Sequence, residues 1–275
     1  MKEINVSVII TTRNEEEHLA DCLRSVKNQS YPQDQLEIIV VDNNSTDKTK
    51  AIASKFTSQV FNFGPERSAQ RNFGISKAGG KYIIYLDADM VLSEDVLSRS
   101  VRRCEDKDYA ALYIPEKIIG QGFWIKVRDF ERSFYNASCI DVVRFIRREA
   151  ALKIDGFDET LNGPEDWDFD RRVREIGRTG IISACLFHNE GSFTLFRYVA
   201  KKRYYARGFG RYIEKWGRGD PIIRKQFGVY YRYLGVFIEK EKWKKIVAHP
   251  ILTVSMFLLR ITVGFVFLYS RYFKP

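Results

Sequence analysis

Apolar runs recur along the first third of the chain, each followed by a polar turn and a stretch with helical spacing. Val6-Ser7-Val8-Ile9-Ile10-Thr11-Thr12 is rich in β-branched residues and predicts a buried strand. Arg13-Asn14 predicts a loop. Glu15 to Gln29 predicts a helix, with Leu19, Leu23 and Val26 at helical spacing and acids in its first turn. Tyr31-Pro32 ends it. Leu36 to Val41 predicts a second strand, Asp42 to Asp47 a turn, and Lys48 to Phe56 a helix. A short strand over Gln59 to Phe63 and a helix over Glu66 to Lys77 follow. Tyr82-Ile83-Ile84-Tyr85-Leu86 then reads as a fully buried strand that ends on Asp87-Ala88-Asp89. Strands alternating with helices predict βαβ units and a parallel sheet. Right-handed crossovers would gather Thr11, Asp42 and Asp87 along one rim.

Further on, Ser93 to Lys107 predicts a helix, Ala111 to Ile114 a strand, and Ile118 to Ala137 a mobile loop followed by a helix. Val142 to Arg147 predicts another strand and Asp155 to Asp158 a turn. A helix from Glu165 to Ile176, ended by Gly177, precedes a last strand-like run over Gly180 to His188. No internal repeat or low-complexity segment interrupts this order.

Charge divides the chain more sharply than composition does. Residues 1–196 carry 27 Lys/Arg and 31 Asp/Glu, a net of −4, whereas residues 197–247 carry 15 and 4, a net of +11. A mildly acidic body with a basic tail points to a polyanionic partner, nucleic acid or an anionic membrane. The four cysteines form no C-x-x-C pair, which argues against a zinc or redox motif and for reduced thiols. The first residues lead straight into a strand, so no signal peptide is expected.

Candidate chemistry clusters at the predicted strand ends. Asp87 and Asp89 are two apart and can point to one side of an extended backbone. Two such carboxylates need a cation or hydrogen bonds, so the stretch is either a divalent-metal site or a solvated turn. Asp42 could accept hydrogen bonds from a base or ribose, or form an Asx turn. Arg67 and Arg71, four apart, share a helix face suited to phosphate or base contacts. Glu165-Asp166-Trp167-Asp168-Phe169-Asp170 places four acids at a helix start, as capping residues or with one general base among them. His188, at a strand end, could complete a metal site or cap the strand. Neither G-x-G-x-x-G nor G-x-x-x-x-G-K-[ST] occurs, which argues against dinucleotide and P-loop chemistry.

Taken together these stretches resemble the family-2 inverting glycosyltransferases of the GT-A (nucleotide-diphospho-sugar transferase) fold. The matching residues are Val8 to Glu15, Leu23 to Val26 with Gln29 to Pro32, Val40 to Asp47, and Ala69 to Ile75, with Asp87-Ala88-Asp89 as the DxD motif and Glu165-Asp166-Trp167-Asp168 as the Glu-Asp motif. The order and spacing agree over about residues 4–190. The resemblance implies an α/β fold with a GT-A Rossmann-like mixed sheet flanked by helices. It implies nucleoside contacts from Thr11 and Asp42 with Glu15 nearby, Arg71 near the nucleotide, and Asp87, Ala88 and Asp89 at the ribose and the metal–diphosphate. Glu165 and Trp167 join this nucleotide-sugar set. Asp166 would be the general base, and Asp89 with His188 would bind the metal, Mn²⁺ or Mg²⁺. The donor implied is a UDP- or GDP-type sugar.

The tail interleaves aromatics with bases, as in Tyr204-Tyr205-Ala206-Arg207 and Tyr230-Tyr231-Arg232-Tyr233. Ile251 to Ser270 is a largely apolar run with Arg260 at its middle, which could span a bilayer, lie in its interface, or pack on the protein. Three segments are expected: a catalytic domain over 1–195, a basic aromatic helical extension over 196–247, and a membrane-associated hydrophobic helix over 248–275. The expected function is metal-dependent, inverting transfer of a sugar to a hydroxyl of a lipid-linked or cell-envelope glycan, at the cytoplasmic face of an anionic membrane. The alternatives are a polyprenyl-phosphate glycosyltransferase, or a nucleotide-sugar- or nucleic-acid-binding protein without transferase activity. Nucleic acid is the less favoured partner.

Overall fold

The computed structural model describes residues 3–272, with side chains described as far as residue 265. Val6–Thr12 forms β1, buried at every position, as its run rich in β-branched residues predicts. It is followed by α1 (Leu19–Lys27), β2 (Leu36–Asp42), α2 (Thr49–Ala53), β3 (Val60–Asn62), α3 (Arg67–Lys77) and β4 (Tyr82–Asp87). Next come β5 (Met90–Leu92), α4 (Val96–Lys107), β6 (Ala111–Tyr113), β7 (Glu116–Gln121), α5 (Phe123–Arg132), β8 (Phe145–Arg147) and α6 (Arg148–Lys153). The body closes with α7 (Glu165–Ile176), β9 (Thr179–Ile181) and β10 (Leu186–Ser192).

The main sheet has seven strands in the order β3-β2-β1-β4-β8-β6-β9. Its first four strands pair in parallel, and β8 runs antiparallel to both β4 and β6, so the sheet is mixed. Register sets the site: Thr11 lies beside Asp87, and Thr12 beside Asp42. The predicted rim of strand ends is therefore present. Apolar side chains alternate across the sheet into two cores. One joins Val8, Ile10, Ile84 and Leu86 to Leu19 and Leu23 of α1. The other joins Ile9, Ile39, Ile83 and Tyr85 to Ile75 of α3 and to Phe169 and Val173 of α7.

A second, three-stranded sheet, β5-β10-β7, stands at the end of β4. Here the structure corrects the sequence-based expectation twice. The segment expected to be a mobile loop from Ile118 begins instead as strand β7, pairing in parallel with β10. The single run expected over Gly180–His188 is two strands in different sheets, β9 and β10. Both strands rest on distant partners that local periodicity does not reveal.

Beyond β10 the chain is helical: α8 (Leu195–Ala206), α9 (Phe209–Trp216), α10 (Pro221–Phe227), a π-turn over Tyr231–Gly235, α11 (Val236–Ile238), α12 (Trp243–Ala248) and α13 (Pro250–Tyr272). The expected segment boundaries at 195/196 and 247/248 fall inside α8 and α12, and the apolar cores cross them. Tyr231, Val236, Phe237 and Met256 pack with Val127, Phe130 and Phe134 of the body. Among the described residues no helix is long and apolar enough to cross a membrane. The run expected over Ile251–Ser270 forms most of α13, although its side chains from residue 266 and the final residues 273–275 lie outside those described.

Candidate active site

The carboxyl ends of β1 and β4 present Thr11 and Asp87 side by side, with Thr11 Oγ1 donating to Asp87 Oδ1 at 3.3 Å. Arg71, projecting from α3, is fully buried and lies over the Tyr85 and Phe157 rings, 4.7 and 5.1 Å from their centroids. Its Nη2 donates to Asp87 Oδ1 at 3.0 Å and its Nη1 to Asp166 Oδ1 at 2.6 Å. One guanidinium thus bridges the end of β4 and the first turn of α7. Burial alone would raise the Asp87 pKa, but Arg71 and then Arg67 overcome it and hold the carboxyl well below the usual carboxylate range. Arg67 also reaches Glu165, whose Oε1 accepts from Nη2 at 3.1 Å. Glu165 is buried, its Oε2 has no partner, and desolvation followed by the neighbouring Asp166 raises its pKa.

Asp89 follows in the turn between β4 and β5. Its Oδ2 is 3.1 Å from His188 Nε2, and its Oδ1 is buried without a partner. His188 reaches this position because β10 pairs with β5 at Met90 and with β7 at Ile118. The other ring nitrogen, Nδ1, is 2.9 Å from Glu116 Oε1. Burial would push the imidazole pKa down, yet the hydrogen bonds to Asp89 and Glu116 push it up to about 10. Glu15, on the loop after β1, faces the same charges: desolvation first, then Asp89, raises it to about 7. A cavity of about 680 Å³ opens beside Asp89, lined in part by His18, Asp21, Arg24 and Asn189.

The structure thus brings together Thr11, Glu15, Arg71, Asp87, Asp89, Glu165, Asp166 and His188. Three other candidates have contacts of their own within the protein. Asp42 is fully buried, and both its oxygens accept from Ser45, from the backbone nitrogen at 2.8 Å and from the hydroxyl, so the Asx-turn alternative describes its contacts. Ala88 packs into the core against the α1 side of the sheet. Trp167 turns into the helical extension, stacking on Phe209 and donating from Nε1 to the Ile140 carbonyl at 3.3 Å.

Sequence reasoning missed Glu116. This buried carboxylate is also held by Arg132 at 3.2 Å, which keeps it charged against burial. The sequence Glu116-Lys117-Ile118-Ile119 carries no polar–apolar alternation that would have found it; only the folded strand, buried at Glu116 and Ile118 and exposed at Lys117 and Ile119, puts Glu116 on the face of Ile118. Among the described residues no group of three His, Cys, Asp or Glu side chains forms a metal centre.

The chain is similar to known proteins in sequence and in fold. Residues 7–158, more than half of the chain, match the family described as Glycosyl transferase family 2. A beta-monoglucosyldiacylglycerol synthase of Nostoc sp. is 26% identical over 252 residues, which cover 81% of this chain and 52% of that enzyme. The chain spans about half, or less, of the curated relatives that it matches. Among solved structures, S. aureus TarS 1-349 in complex with UDP superposes with a TM-score of 0.61 at 17% identity, covering 98% of this chain and 76% of that one. The mannosyltransferase PcManGT from Pyrobaculum calidifontis, in complex with GDP-Man and Mn2+, gives 0.61 at 18% identity, covering 100% and 77%. At such identities these structures speak for a shared GT-A fold alone. The family match, which runs from β1 into the Asp155–Asp158 turn and includes Asp87 and Asp89, settles membership: the chain belongs to glycosyl transferase family 2.

Proposed function

We propose that this protein transfers a sugar, with inversion, from a nucleotide-diphosphate donor to a hydroxyl of a lipid-linked or cell-envelope glycan. The observation that carries this reading is the Arg71 bridge, which puts Asp166 and the Asp87 strand end on opposite sides of one buried guanidinium. Donor and acceptor machinery then share a single cleft. The donor class is supported by the UDP and GDP-Man that the two similar structures contain. The acceptor class is supported by relatives named for diacylglycerol and poly(ribitol-phosphate) substrates.

Asp89 and His188 would hold a divalent ion, His188 only after the ion displaces the proton that its Nε2 shares with Asp89. The fit rests on Asp89 Oδ1, a buried oxygen with no partner, beside an imidazole nitrogen. Two protein ligands are too few for a closed site, which suits Mg²⁺ or Mn²⁺ sharing its remaining positions with substrate phosphates. A bound ion supplies charge neutralisation for the departing diphosphate. Thr11 and Asp87 line the nucleotide side. Asp166 uses Oδ1 for Arg71, which orients the carboxylate, and takes the acceptor hydroxyl proton on its second oxygen. A hydroxyl acceptor needs that base, whereas an ionised phosphate does not.

The test is a thermal-shift titration with UDP and GDP, each with and without Mn²⁺, followed by product analysis with the matching sugar donors. A nucleotide that binds the native state at a hundred times its Kd stabilises it by about 2.7 kcal/mol. Stabilisation that needs both nucleotide and metal, followed by sugar transfer, supports the reading. Metal-dependent binding with no transfer to any acceptor would leave a binding protein instead.

A further inference from the structure

The longest helix, α13, has two unlike sides. Its inner side is committed to the body: Met256, Leu259 and Arg260 are buried, and Met256 packs with Val127, Phe130 and Phe134. Arg260 donates from Nη1 to Glu131 Oε1 of α5 and to the Tyr135 hydroxyl, each at 2.5 Å. Its outer side is an unpartnered stripe. Ile251, Val254, Leu258, Ile261 and Phe265 recur at three- and four-residue steps, and are 45–71% exposed. No acidic residue occurs after Glu241. Upstream, Lys240, Lys244 and Lys245 are exposed, with Trp243 and Val247 exposed among them.

We propose that α13 lies in the plane of an anionic bilayer surface, with this stripe in the acyl region and the α12 lysines at the headgroups. A helix with one apolar side, basic flanks and an aromatic at the boundary has the composition of an interfacial segment. Spanning would pull Arg260 away from Glu131 and strand both charges. A second copy is the poorer occupant, because a two-fold contact would set one net-positive segment against the other: Lys240, Lys242, Lys244 and Lys245 outnumber Glu239 and Glu241, which pair with Lys242 and Lys244. Anionic lipid relieves that repulsion and attracts the lysines instead.

A groove of about 560 Å³ opens at the same end of α13, between Ile118, Ile125 and Phe130 on one wall and Lys245, His249 and Leu252 on the other. Ile119 lines both this groove and the cavity beside Asp89. Docking in this pose therefore puts an apolar groove at the bilayer and the candidate active site beyond it. A lipid-anchored acceptor can then be met without leaving the membrane. The acceptor statement rests on the proposed transferase function, whereas the docking does not.

The test is co-sedimentation of the full chain with phosphatidylcholine vesicles, with and without phosphatidylglycerol. The parent protein should sediment with the anionic vesicles, lose binding as salt rises, and come off in alkaline carbonate. A variant with Val254→Gln, Leu258→Gln and Ile261→Gln should bind roughly a hundredfold more weakly. Lys244→Glu with Lys245→Glu should weaken binding to the anionic vesicles while leaving the stripe intact. Nucleotide-dependent thermal shift in the same samples reports a folded donor site and tests the transferase reading separately. Docking is overturned by absence of binding to anionic vesicles, or by equal binding of the stripe variant. Resistance to carbonate would show a spanning helix. A stripe variant that turns a dimer into a monomer with vesicle binding unchanged would make the stripe a self-interface.

Discussion

Arg71 and Asp166 are joined by a 2.6 Å hydrogen bond, from a guanidinium with no exposure to a carboxylate at the mouth of the site. The same guanidinium neutralises Asp87, so α3 holds the ends of β4 and α7 in fixed relation. Arg71→Met would leave two carboxylates in a cleft without their shared cation. Loss of one partner of a buried ion pair costs about 3–5 kcal/mol. Urea denaturation should show a drop in that range, and a drop below 1 kcal/mol would deny the bridge its structural role.

Asp166→Asn keeps the shape and an oxygen acceptor for Arg71 but removes the base. Transfer should fall by about 10²–10⁴-fold, while the nucleotide-induced thermal shift stays at the parent level. Near-normal turnover would transfer the assignment to another acid, with Glu165 the next candidate because its Oε2 is buried and unpartnered.

Glu116 holds the Nδ1 side of His188 and so fixes the orientation in which Nε2 faces Asp89. Outer carboxylates of this kind typically matter 10–100-fold in metal affinity. Glu116→Gln should therefore weaken Mn²⁺ binding, measured by electron paramagnetic resonance with UDP or GDP present, by about tenfold. Asp89→Asn and His188→Gln should weaken it further. Unchanged Mn²⁺ affinity in all three would place the ion elsewhere.

Asp170, within α7, gives a pH signature. Desolvation is the main cause that raises its pKa from 3.8 to about 7, with Arg174 and hydrogen bonds from Tyr113 and Val143 opposing. A raised carboxyl means that the folded state holds its proton more tightly than the unfolded chain does. Its contribution to stability is fully present below pH 3.8 and is lost progressively as pH rises to about 7. Asp170→Asn, which mimics the protonated form, should raise stability at pH 8 by about 4 kcal/mol and leave it nearly unchanged at pH 4. Equal effects at the two pH values would show that Asp170 does not titrate in this window.

Arg260 and Glu131 are both buried, and Glu131 is also held by Arg128 at 2.6 Å. Arg260→Met should destabilise the protein by about 3 kcal/mol. A double-mutant cycle with Glu131→Gln should return a coupling of about 1–3 kcal/mol. Additive effects would mean that the Arg260–Glu131 pair does not hold α13.

Local pattern carried much of the fold. The β-branched run of β1 and the helical spacing of Leu19, Leu23 and Val26 named their elements directly, because those residues bury one face whatever the partner. The ends of α1 were less legible: Glu15 to His18 form turns and not helix, since Asn14 and Glu15 hydrogen-bond through their backbone to Ser45 and Thr49. β7 was hidden for a related reason. A strand mixing Gly, Lys and Gln is stable only where a neighbour completes its ladder, and that neighbour, β10, lies far along the chain.

The sequence by itself determined the alternation of strands and helices, the rim on which Thr11 and Asp87 meet, the order of the acidic motifs, and the basic tail. Each follows from periodicity, spacing or charge, which are properties of neighbouring residues. Tertiary structure decided the rest. It bonded Asp42 to Ser45, stacked Trp167 on Phe209, joined Asp87 to Asp166 through Arg71, and recruited Glu116 behind His188. It also set Arg260 inward and left Ile251, Val254 and Leu258 outward. Those outcomes depend on which buried charges find partners, and a partner tens of residues away leaves no trace in local pattern.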